Sequence, residues 1–418
     1  MRAAHILRKY VPAEWGGTET ALQSLSRGLA EHGLESVVFC PATGSPPGDD
    51  DPLRAVGCQL RRFRACVPIW GLSAPARRQM LAVGGNLLSF DLPWHLNREP
   101  ELLAIHTHTL GRLGGIAGTI ARRRNLPFVV TIHGGALDLS PRVRAELAAP
   151  SSGVEWGRLF GWWWRARHVL AEADAILTCN HREAELLRER HPRQRVIVQP
   201  HGVAVARYRL DRRPDARAAF PAIIGREVLL TIARIDPVKN QLWLVQQMPR
   251  ILAAHADALL VLVGACTNAD YGAQLHRGIR DLGLAERVLI TGGLPPGDPR
   301  LVGLMQEARL AILPSLAETF GLVILEAWAA GLAVLASRTS GAVELVQSGE
   351  NGCLFAQGSE AEFHAGLDRL LGDSAFRTRQ VENARTSVAA HDLTTLAGQV
   401  KDLYLEIGRE KHALRHSA

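Results

Sequence analysis

Short apolar runs alternate with amphipathic stretches along the N-terminal half of the chain. Residues 18–32 and 111–123 carry apolar side chains at helical spacing, with Leu22, Leu25 and Leu29 on one face of the first stretch. The half therefore predicts helices between strands. The strands are expected at 3–7, 35–41, 102–108, 128–133, 173–180 and 195–200.

The second half repeats this alternation with apolar runs that are almost unbroken, as strands covered on both faces should be. Repeated strand–helix units imply parallel sheets with right-handed crossovers. The strands are expected at 227–233, 258–264, 287–293, 310–314 and 332–337, and the helices at 240–255, 270–282, 300–308 and 321–330.

These patterns predict an α/β fold of two doubly wound domains whose parallel sheets face a cleft. We place the domains at 1–204 and 205–392, joined around 201–224. Ligands of such sheets bind outside the carboxyl ends of the strands. The residues that follow each strand are therefore the first candidates for a site.

Composition supports this picture and narrows the class of protein. The chain has 418 residues, of which 47% are apolar and 21% are charged, as in ordinary globular proteins. No apolar run reaches the roughly 18 residues of a membrane helix, and the first residues lack an apolar signal segment. The six cysteines form no C-x-x-C pair, which argues against a zinc ribbon. We expect a cytoplasmic, reduced protein.

The net charge of +7 lies entirely in the N-terminal half. Residues 1–205 hold 25 basic and 18 acidic side chains, whereas residues 206–418 hold 23 of each. The excess favours an anionic partner, either an acceptor that carries phosphate or carboxylate or the acidic inner face of a membrane. Solvated arginines remain the simpler explanation of each basic cluster alone. No recognition motif indicates nucleic acid.

Charged side chains follow two of the expected strands in the second half. Arg234 and Lys239 come after the run 227–233, and Lys239 is one of only four lysines among 48 basic residues. Two fixed positive charges at one sheet edge are what a departing diphosphate needs. Either charge alone would be an ordinary loop residue.

The segment after the run 310–314 carries two glutamates, Glu318 and Glu326. At a rise of about 1.5 Å per residue, eight helical residues separate their backbones by roughly 12 Å, about the span from a hexose to a ribose across a diphosphate. Each carboxylate can accept from the hydroxyls of one sugar. The amides of the expected helix start can bind an anion; that start comprises Thr319, Phe320, Gly321 and Leu322.

These residues belong to a pattern that resembles the retaining glycosyltransferases of family 4, which have the two-Rossmann GT-B fold. The resemblance spans most of the chain, and its strongest element is ETFGLVILE at 318–326, an E-x7-E motif. The other elements are ARIDPVKN at 233–240, GGTET at 16–20, TIHGG at 131–135, QPHGV at 199–203 and SGENGCLF at 348–355.

The resemblance implies roles for individual residues. Arg234 and Lys239 would bind the diphosphate, Glu318 the hydroxyls of the donor sugar and Glu326 the ribose. Further donor contacts would come from Thr319, Phe320, Gly321 and Leu322, from Gly17, whose backbone approaches the donor across the cleft, and from Gly293 and Leu294 near the base.

For the histidines and the C-terminal segment, the sequence leaves more than one role open. His133 matches a histidine near the donor sugar and would be catalytic with Glu318, Arg234 and Lys239, or it is a hydrogen-bonded scaffold residue. His106 and His108 are expected to line a strand end rather than to bind a metal. The family often has Asn-Gly-Val-Asp where this chain has His-Gly-Val-Ala at 201–204, and its last helix, here within 393–418, often returns to the first domain.

The resemblance implies transfer of a hexosyl group from a nucleotide-diphosphate sugar to an acceptor, with retention and without a metal or cofactor. The acceptor would be a glycan, a glycolipid or a small molecule, and residues 61–97 and 140–168 would shape its side of the protein. A nucleotide-sugar 2-epimerase and a non-catalytic nucleotide-sugar-binding protein are the alternatives. A glycosidase fits poorly, because a retaining carboxylate pair lies only about 5–5.5 Å apart.

Overall fold

The structure is a computed structural model that describes residues 1–12, 16–42, 51–82, 84–85, 87–133, 154–295 and 297–416. It divides the chain into two compact units. The N-terminal unit comprises 1–202 together with 393–418, and the C-terminal unit comprises 203–392. No helix of the described part is both long and apolar enough to cross a membrane.

The N-terminal unit is built on a seven-stranded parallel sheet with the order β3-β2-β1-β5-β6-β8-β9. A separate antiparallel pair, β4 with β7, lies outside this sheet. The strands are β1 Arg2–Ile6, β2 Glu35–Pro41, β3 Gln59–Phe63, β4 Ile69–Trp70, β5 Leu102–Thr107, β6 Phe128–Ile132, β7 Val154–Glu155, β8 Ala175–Thr178 and β9 Val196–Val198.

Helices cover this sheet, and the last helix of the chain is one of them. Chain order gives α1 Gly17–Glu31, α2 Ala74–Ala82, α3 Leu92–Arg98, α4 Gly111–Arg123, α5 Arg158–Trp163 and α6 His181–Arg190; the C-terminal helix, α16, is Leu393–His416. Helix α16 packs on α1 so closely that a Cβ on Gly28 would lie 2.5 Å from the Cβ of Ala397. Its Val400 and Tyr404 are buried with Leu29 and with Ala104 of the sheet.

The C-terminal unit is built on a six-stranded parallel sheet with the order β12-β11-β10-β13-β14-β15. Its inner strands are almost wholly buried because helices cover both faces, which explains the unbroken apolar runs, whereas the edge strand β12 is mostly half-buried. The strands are β10 Glu227–Ile232, β11 Ala258–Val263, β12 Val288–Gly292, β13 Leu310–Leu313, β14 Val334–Ser337 and β15 Cys353–Phe355.

Two helices precede the first strand of this unit, and from β10 onwards helices follow strands, as the alternating pattern predicts. They are α7 Val205–Arg209, α8 Arg213–Ala219, α9 Gln241–Ala254, α10 Ala269–Asp281, α11 Pro299–Glu307, α12 Leu322–Ala329, α13 Ser340–Leu345, α14 Glu360–Gly372 and α15 Ser374–Ala389. The predicted fold of two Rossmann-like parallel α/β domains is confirmed. Strand β3 was not predicted, because Gln59, Arg61 and Arg62 leave it without an apolar run.

Candidate functional site

The carboxyl ends of β10 and β13 lie side by side, because these strands are neighbours in the sheet. The loop after β10 contains Arg234 and then one turn of 3-10 helix, Pro237–Lys239. Asp236 begins this turn, and its carboxylate accepts a hydrogen bond of 3.0 Å from the amide of Val238. The turn fixes where the Lys239 side chain leaves the backbone.

The loop after β13 is fastened to this turn. The amide of Leu316 donates to the carbonyl of Val238 at 2.8 Å, and the Asn240 side chain donates to the carbonyl of Pro314 at 3.3 Å. From the other side, the Gln241 side chain donates to the carbonyl of Arg234 at 2.8 Å. These hydrogen bonds hold together two loops that are about 80 residues apart in the chain.

Lys239 and Glu318 form an ion pair between these two loops. The Lys239 side chain is 17% exposed and the Glu318 side chain 23% exposed, so solvent screens the pair less than a surface pair. Since each charge is the counter-ion of the other, neither is free until a ligand replaces its partner.

The Arg234 guanidinium differs from the Lys239 ammonium beside it. Its residue is exposed, and within the described residues the guanidinium has no hydrogen-bond or ion-pair partner. It is therefore a preformed positive charge at the same strand end.

The backbone that follows Glu318 is packed against the start of α13. The Glu318 carbonyl accepts from the amide of Gly341 at 2.7 Å and from the hydroxyl of Ser340 at 3.1 Å. A Cβ on Gly341 would lie 2.4 Å from the Phe320 nitrogen, so only glycine allows this approach.

The predicted helical spacing between Glu318 and Glu326 is wrong. Helix α12 begins at Leu322, and Gly321 before it has a φ of +86°, which is the left-handed conformation that glycine adopts readily. Residues 318–321 are therefore loop, and the 1.5 Å rise applies only from Leu322 onwards.

Glu326 lies inside α12 and is buried. Its Oε1 accepts a hydrogen bond of 2.8 Å from the hydroxyl of Tyr208, which is also buried. Desolvation raises the pKa of the Glu326 carboxyl to about 7, although the Tyr208 hydrogen bond and the nearby Arg207 charge lower it. The side chain can therefore be neutral or charged near neutral pH.

Gly293 and Leu294 lie beyond the end of β12, at the edge of the sheet. Strand β11 separates β12 from β10, so this edge is two strands away from Arg234. Gly292 has a φ of +77°, and its carbonyl accepts from the amide of Gly264 at 2.9 Å, which continues the pairing of β12 with β11.

The remaining predicted donor residues belong to the N-terminal unit. Gly17 is the first residue of α1 and is exposed, and a Cβ at this position would meet no atom within 4 Å. The open space is compatible with the close approach of a ligand. The predicted Gly134 and Gly135 of the TIHGG motif lie outside the described residues, as do residues 140–153 of the predicted acceptor side.

His133 follows β6 and is held by two other histidines. Its Nε2 lies 2.7 Å from Nδ1 of His108, and its ring stacks on His201 at a centroid distance of 5.3 Å. Its Nδ1 is buried and has no hydrogen-bond partner within the described residues. Burial and the neighbouring His201 and Arg8 hold the pKa of His133 well below its usual range, so the ring is neutral at physiological pH.

Sequence reasoning missed residues whose importance depends on the tertiary fold. Nothing in the sequence connects Tyr208 with Glu326, 118 positions away. Gly341 has no local signal for its contact with Phe320. The only signal for Gly341 is its position at the start of α13, which points to it only if one asks which strand end this helix packs against.

Comparisons with known proteins agree over both units. A model of the glycosyl transferase 4-like domain matches residues 16–202, and a model of the glycosyl transferases group 1 matches residues 213–387. The D-inositol 3-phosphate glycosyltransferase of Acidothermus cellulolyticus is 30% identical over 399 residues, which are 92% of this chain and 84% of that protein. D-inositol 3-phosphate glycosyltransferase 2 of Catenulispora acidiphila is 29% identical over 418 residues, 96% of this chain and 92% of that protein.

Comparison with solved structures agrees with the sequence comparisons. The crystal structure of HepE from Anabaena, in complex with UDP and glucose, superposes with a TM-score of 0.72 over 97% of this chain and 100% of that one, at 19% identity. The two domains thus have the GT-B fold. The chain belongs to the glycosyl transferases of group 1, with a glycosyl transferase 4-like N-terminal domain.

The buried Glu326 carboxyl predicts a pH-dependent stability. The folded protein keeps its proton up to about pH 7, whereas the unfolded chain releases it near the ordinary pKa of 4.5. The contribution of the protonated Glu326 carboxyl to the free energy of unfolding is therefore complete below about pH 4.5 and is lost as the pH rises through about 7. Relative to wild type, Glu326→Gln should gain stability between pH 5 and pH 8, on the order of 3 kcal/mol at most.

Urea unfolding of both proteins at the two pH values measures this change. Glu350→Gln, a substitution of an exposed glutamate in the same unit, shows what the same chemical change does at the surface. A difference between Glu326→Gln and wild type that stays constant with pH would show that Glu326 is ionised in the folded protein throughout.

Proposed function

We propose that this glycosyltransferase moves a hexosyl group from a nucleotide-diphosphate sugar to an acceptor with retention of the anomeric configuration. The observation that carries the proposal is the Lys239–Glu318 ion pair at the strand end where Arg234 also lies. One site then holds two positive charges for a diphosphate and one carboxylate for a sugar.

The donor would rearrange this ion pair. A diphosphate carries more negative charge than the Glu318 carboxylate and would take over the Lys239 ammonium, with Arg234 as the second cation. Glu318 is then released to accept hydrogen bonds from hydroxyls of the donor sugar. Binding of the diphosphate would thus free the Glu318 carboxylate to bind the sugar of the same donor molecule.

Glu326 and Tyr208 fit recognition of a second group of hydroxyls. Oε1 of Glu326 is held by Tyr208, and a carboxylate can accept further hydrogen bonds on its remaining lone pairs. We propose that these bind the ribose, with base contacts from Gly293 and Leu294. Thr319, Phe320, Gly321 and Leu322 would contact the donor at the start of α12, and Gly17 and His133 are the donor residues proposed in the N-terminal unit.

In the transfer step the bond between the anomeric carbon and the β-phosphate oxygen breaks, and a bond to the acceptor oxygen forms on the same face. The acceptor proton passes to an oxygen of the leaving diphosphate, so no protein base is required. Arg234 and Lys239 stabilise the negative charge that grows on the diphosphate. We propose that these two cations do so without a metal ion or cofactor.

The N-terminal charge supports an anionic acceptor. The relatives of highest similarity reported above are named for D-inositol 3-phosphate, a phosphorylated polyol, and the net charge of +7 lies in residues 1–205. We propose a phosphorylated polyol or a lipid-linked acceptor, and D-inositol 3-phosphate is the first compound to test. Turnover that requires an acceptor separates this function from a 2-epimerase, which would act on the donor alone.

Loss of either cation should reduce turnover much more than stability. Removing a group that stabilises charge in a transition state costs about 100- to 1,000-fold in kcat, so we expect losses of this size for Arg234→Ala and for Lys239→Ala. The donor is chosen by a thermal-shift panel of UDP-, GDP- and ADP-sugars, and release of the nucleoside diphosphate is then measured. Arg280→Ala, an exposed arginine on α10, is the matched control.

Near-normal turnover in either folded variant would overturn the assignment. A loss of the same size in Arg280→Ala would show that general charge, and not the strand-end pair, matters.

An exposed apolar surface of the N-terminal unit supports contact with a membrane. Trp162 is 76% exposed and Trp163 is 63% exposed at the end of α5, and Trp70 nearby is 64% exposed and lies 6.2 Å from Trp156 between ring centroids. Trp164, in contrast, packs against the core of the unit. Tryptophan is enriched where a protein meets the membrane interface. We propose that this tryptophan surface binds acidic lipid at the inner face of a membrane.

Sedimentation with vesicles of phosphatidylglycerol and phosphatidylcholine tests this surface. The wild type should bind in a salt-sensitive manner, and the double variant Trp162→Ala/Trp163→Ala should lose most of the binding because the buried apolar area is removed. Leu282→Ala, which removes an exposed apolar side chain from the C-terminal unit, should bind like wild type. Wild-type protein that stays in the supernatant at low salt would rule the surface out.

A further inference from the structure

Five histidines line one face of the N-terminal sheet near the carboxyl ends of its strands. His5 on β1 is the register partner of His106 on β5, and His108 follows His106 by two positions. Because side chains alternate between faces with a period of two, these three side chains point to the same side. This is the side on which α1 and α16 pack, since Tyr404 of α16 contacts His106. The other two histidines are His133 and His201.

The imidazoles of His5, His106 and His108 form one cluster. Nδ1 of His5 lies 3.1 Å from Nε2 of His108, and one nitrogen of each of the three rings lies within 4.8 Å of the others. Zn–N bonds of about 2.0–2.1 Å in a tetrahedral site place ligand nitrogens about 3.3 Å apart. The His5–His108 pair is close to that separation at 3.1 Å. His106 would have to turn its ring and give up its hydrogen bond to Tyr404 or to Thr131 to bring the third nitrogen to it.

The second nitrogen of each ring has its own partner. Nε2 of His5 faces the Ser36 hydroxyl at 3.4 Å, and Nδ1 of His108 faces Nε2 of His133 at 2.7 Å. His106 contacts the Tyr404 hydroxyl at 2.5 Å with one nitrogen and the Thr131 hydroxyl at 2.6 Å with the other, so one contact remains whichever nitrogen binds. Histidines that bind metals are held through the other ring nitrogen in this way.

Burial keeps these rings in the protonation state that binds metals. All three are buried, and desolvation lowers the pKa of His5 to about 3 and the pKa values of His106 and His108 well below the usual range. Neutral imidazole is the ligand form of histidine. Three imidazoles without a carboxylate ligand suit zinc, cobalt, nickel or copper, whereas calcium and magnesium need mainly oxygen ligands.

A cavity lies beside His106 and His108. It is lined by His106, His108, His133 and His201 and by residues of α1 and α16, and about 40 Å³ of it is accessible to the centre of a water molecule. A site of about 10–15 Å³ holds one water, so the cavity has room beside His106 and His108 for a water molecule that would serve as the fourth ligand.

We propose that His5, His106 and His108 bind one divalent transition-metal ion in the N-terminal unit. The expectation that His106 and His108 only line a strand end does not account for their convergence with His5. The ion takes no part in the proposed chemistry of the diphosphate, which uses Arg234 and Lys239 of the other unit.

Metal binding would also determine the tautomer of His133. A metal on Nε2 of His108 leaves the proton on Nδ1, which donates to Nε2 of His133. His133 must then carry its own proton on Nδ1, the atom that has no partner within the described residues. The ion would thus make His133 a hydrogen-bond donor towards the cavity.

Titration of tag-free, EDTA-treated full-length protein with Co²⁺ tests the proposal, because bound Co²⁺ has visible absorption bands that report nitrogen ligands. We expect one equivalent to bind and Zn²⁺ to displace it, while Mg²⁺ does not. His5→Gln and His108→Gln should each weaken binding by at least about 100-fold, beyond the 10- to 100-fold typical of lost supporting contacts. His201→Gln removes a buried imidazole from the same cavity and should bind like wild type.

Circular dichroism establishes whether each variant is folded. If one of the two variants does not fold, His106→Asn is measured in its place. Wild-type protein that binds less than one equivalent of Co²⁺ and of Zn²⁺ at micromolar concentrations overturns the proposal without any variant. Equal affinity in wild type, His5→Gln and His108→Gln overturns it as well, because the ion would then be bound by surface histidines.

Discussion

A single ion pair, Lys239 with Glu318, joins the two strand ends on which the proposed chemistry depends. It is partly buried, and its partners are brought together only because β10 and β13 are neighbours in a parallel sheet. Without a ligand, the pair satisfies two charges that would otherwise lose solvent contact without compensation. In the mechanism that we propose, a donor separates the two charges: Lys239 would bind the diphosphate and Glu318 the sugar. Until then, neither charge is unpaired.

The surrounding packing keeps these positions fixed. Buried strands of leucine, isoleucine and valine form a rigid base, and the loops above them are fastened by backbone hydrogen bonds such as that from Leu316 to Val238. Gly341 lets α13 approach the backbone at Phe320, so the segment that follows Glu318 has little freedom. Rigid placement of charge is how a site stabilises a transition state at no cost of reorganisation.

The sequence predicted the parts of the fold that depend on local pattern. Helix 111–123 and strand 35–41 have the predicted bounds, because an apolar period or an apolar run of the right length determines each. The convergence of Arg234, Lys239 and Glu318 at one end of the sheet followed from the rule that parallel strands end at the same edge. Lys239 and Glu318 are in contact, and Arg234 lies in the same loop as Lys239.

The remaining features depend on contacts that no local pattern encodes. The hydrogen bond from Tyr208 to Glu326 joins two short segments through the packing of α7 on α12. The left-handed Gly321 keeps the backbone between Glu318 and the start of α12 out of the helical conformation, so a distance calculated from a helical rise over all eight residues does not apply. His5 is a polar residue within the apolar run 3–7, and its relation to His106 becomes visible only when the register of β1 and β5 is known.

Affinity for a nucleoside diphosphate is the most direct measure of whether the ion pair opens as proposed. Calorimetric titration with the best of UDP, GDP and ADP would compare wild type, Glu318→Gln and Lys239→Met, with Glu350→Gln as the control. Our account predicts that Glu318→Gln binds the diphosphate at least as tightly as wild type, because Lys239 no longer has an internal counter-ion, and that Lys239→Met binds at least about 10-fold more weakly, a loss of about 1.4 kcal/mol. Equal affinity in Lys239→Met and wild type would contradict it.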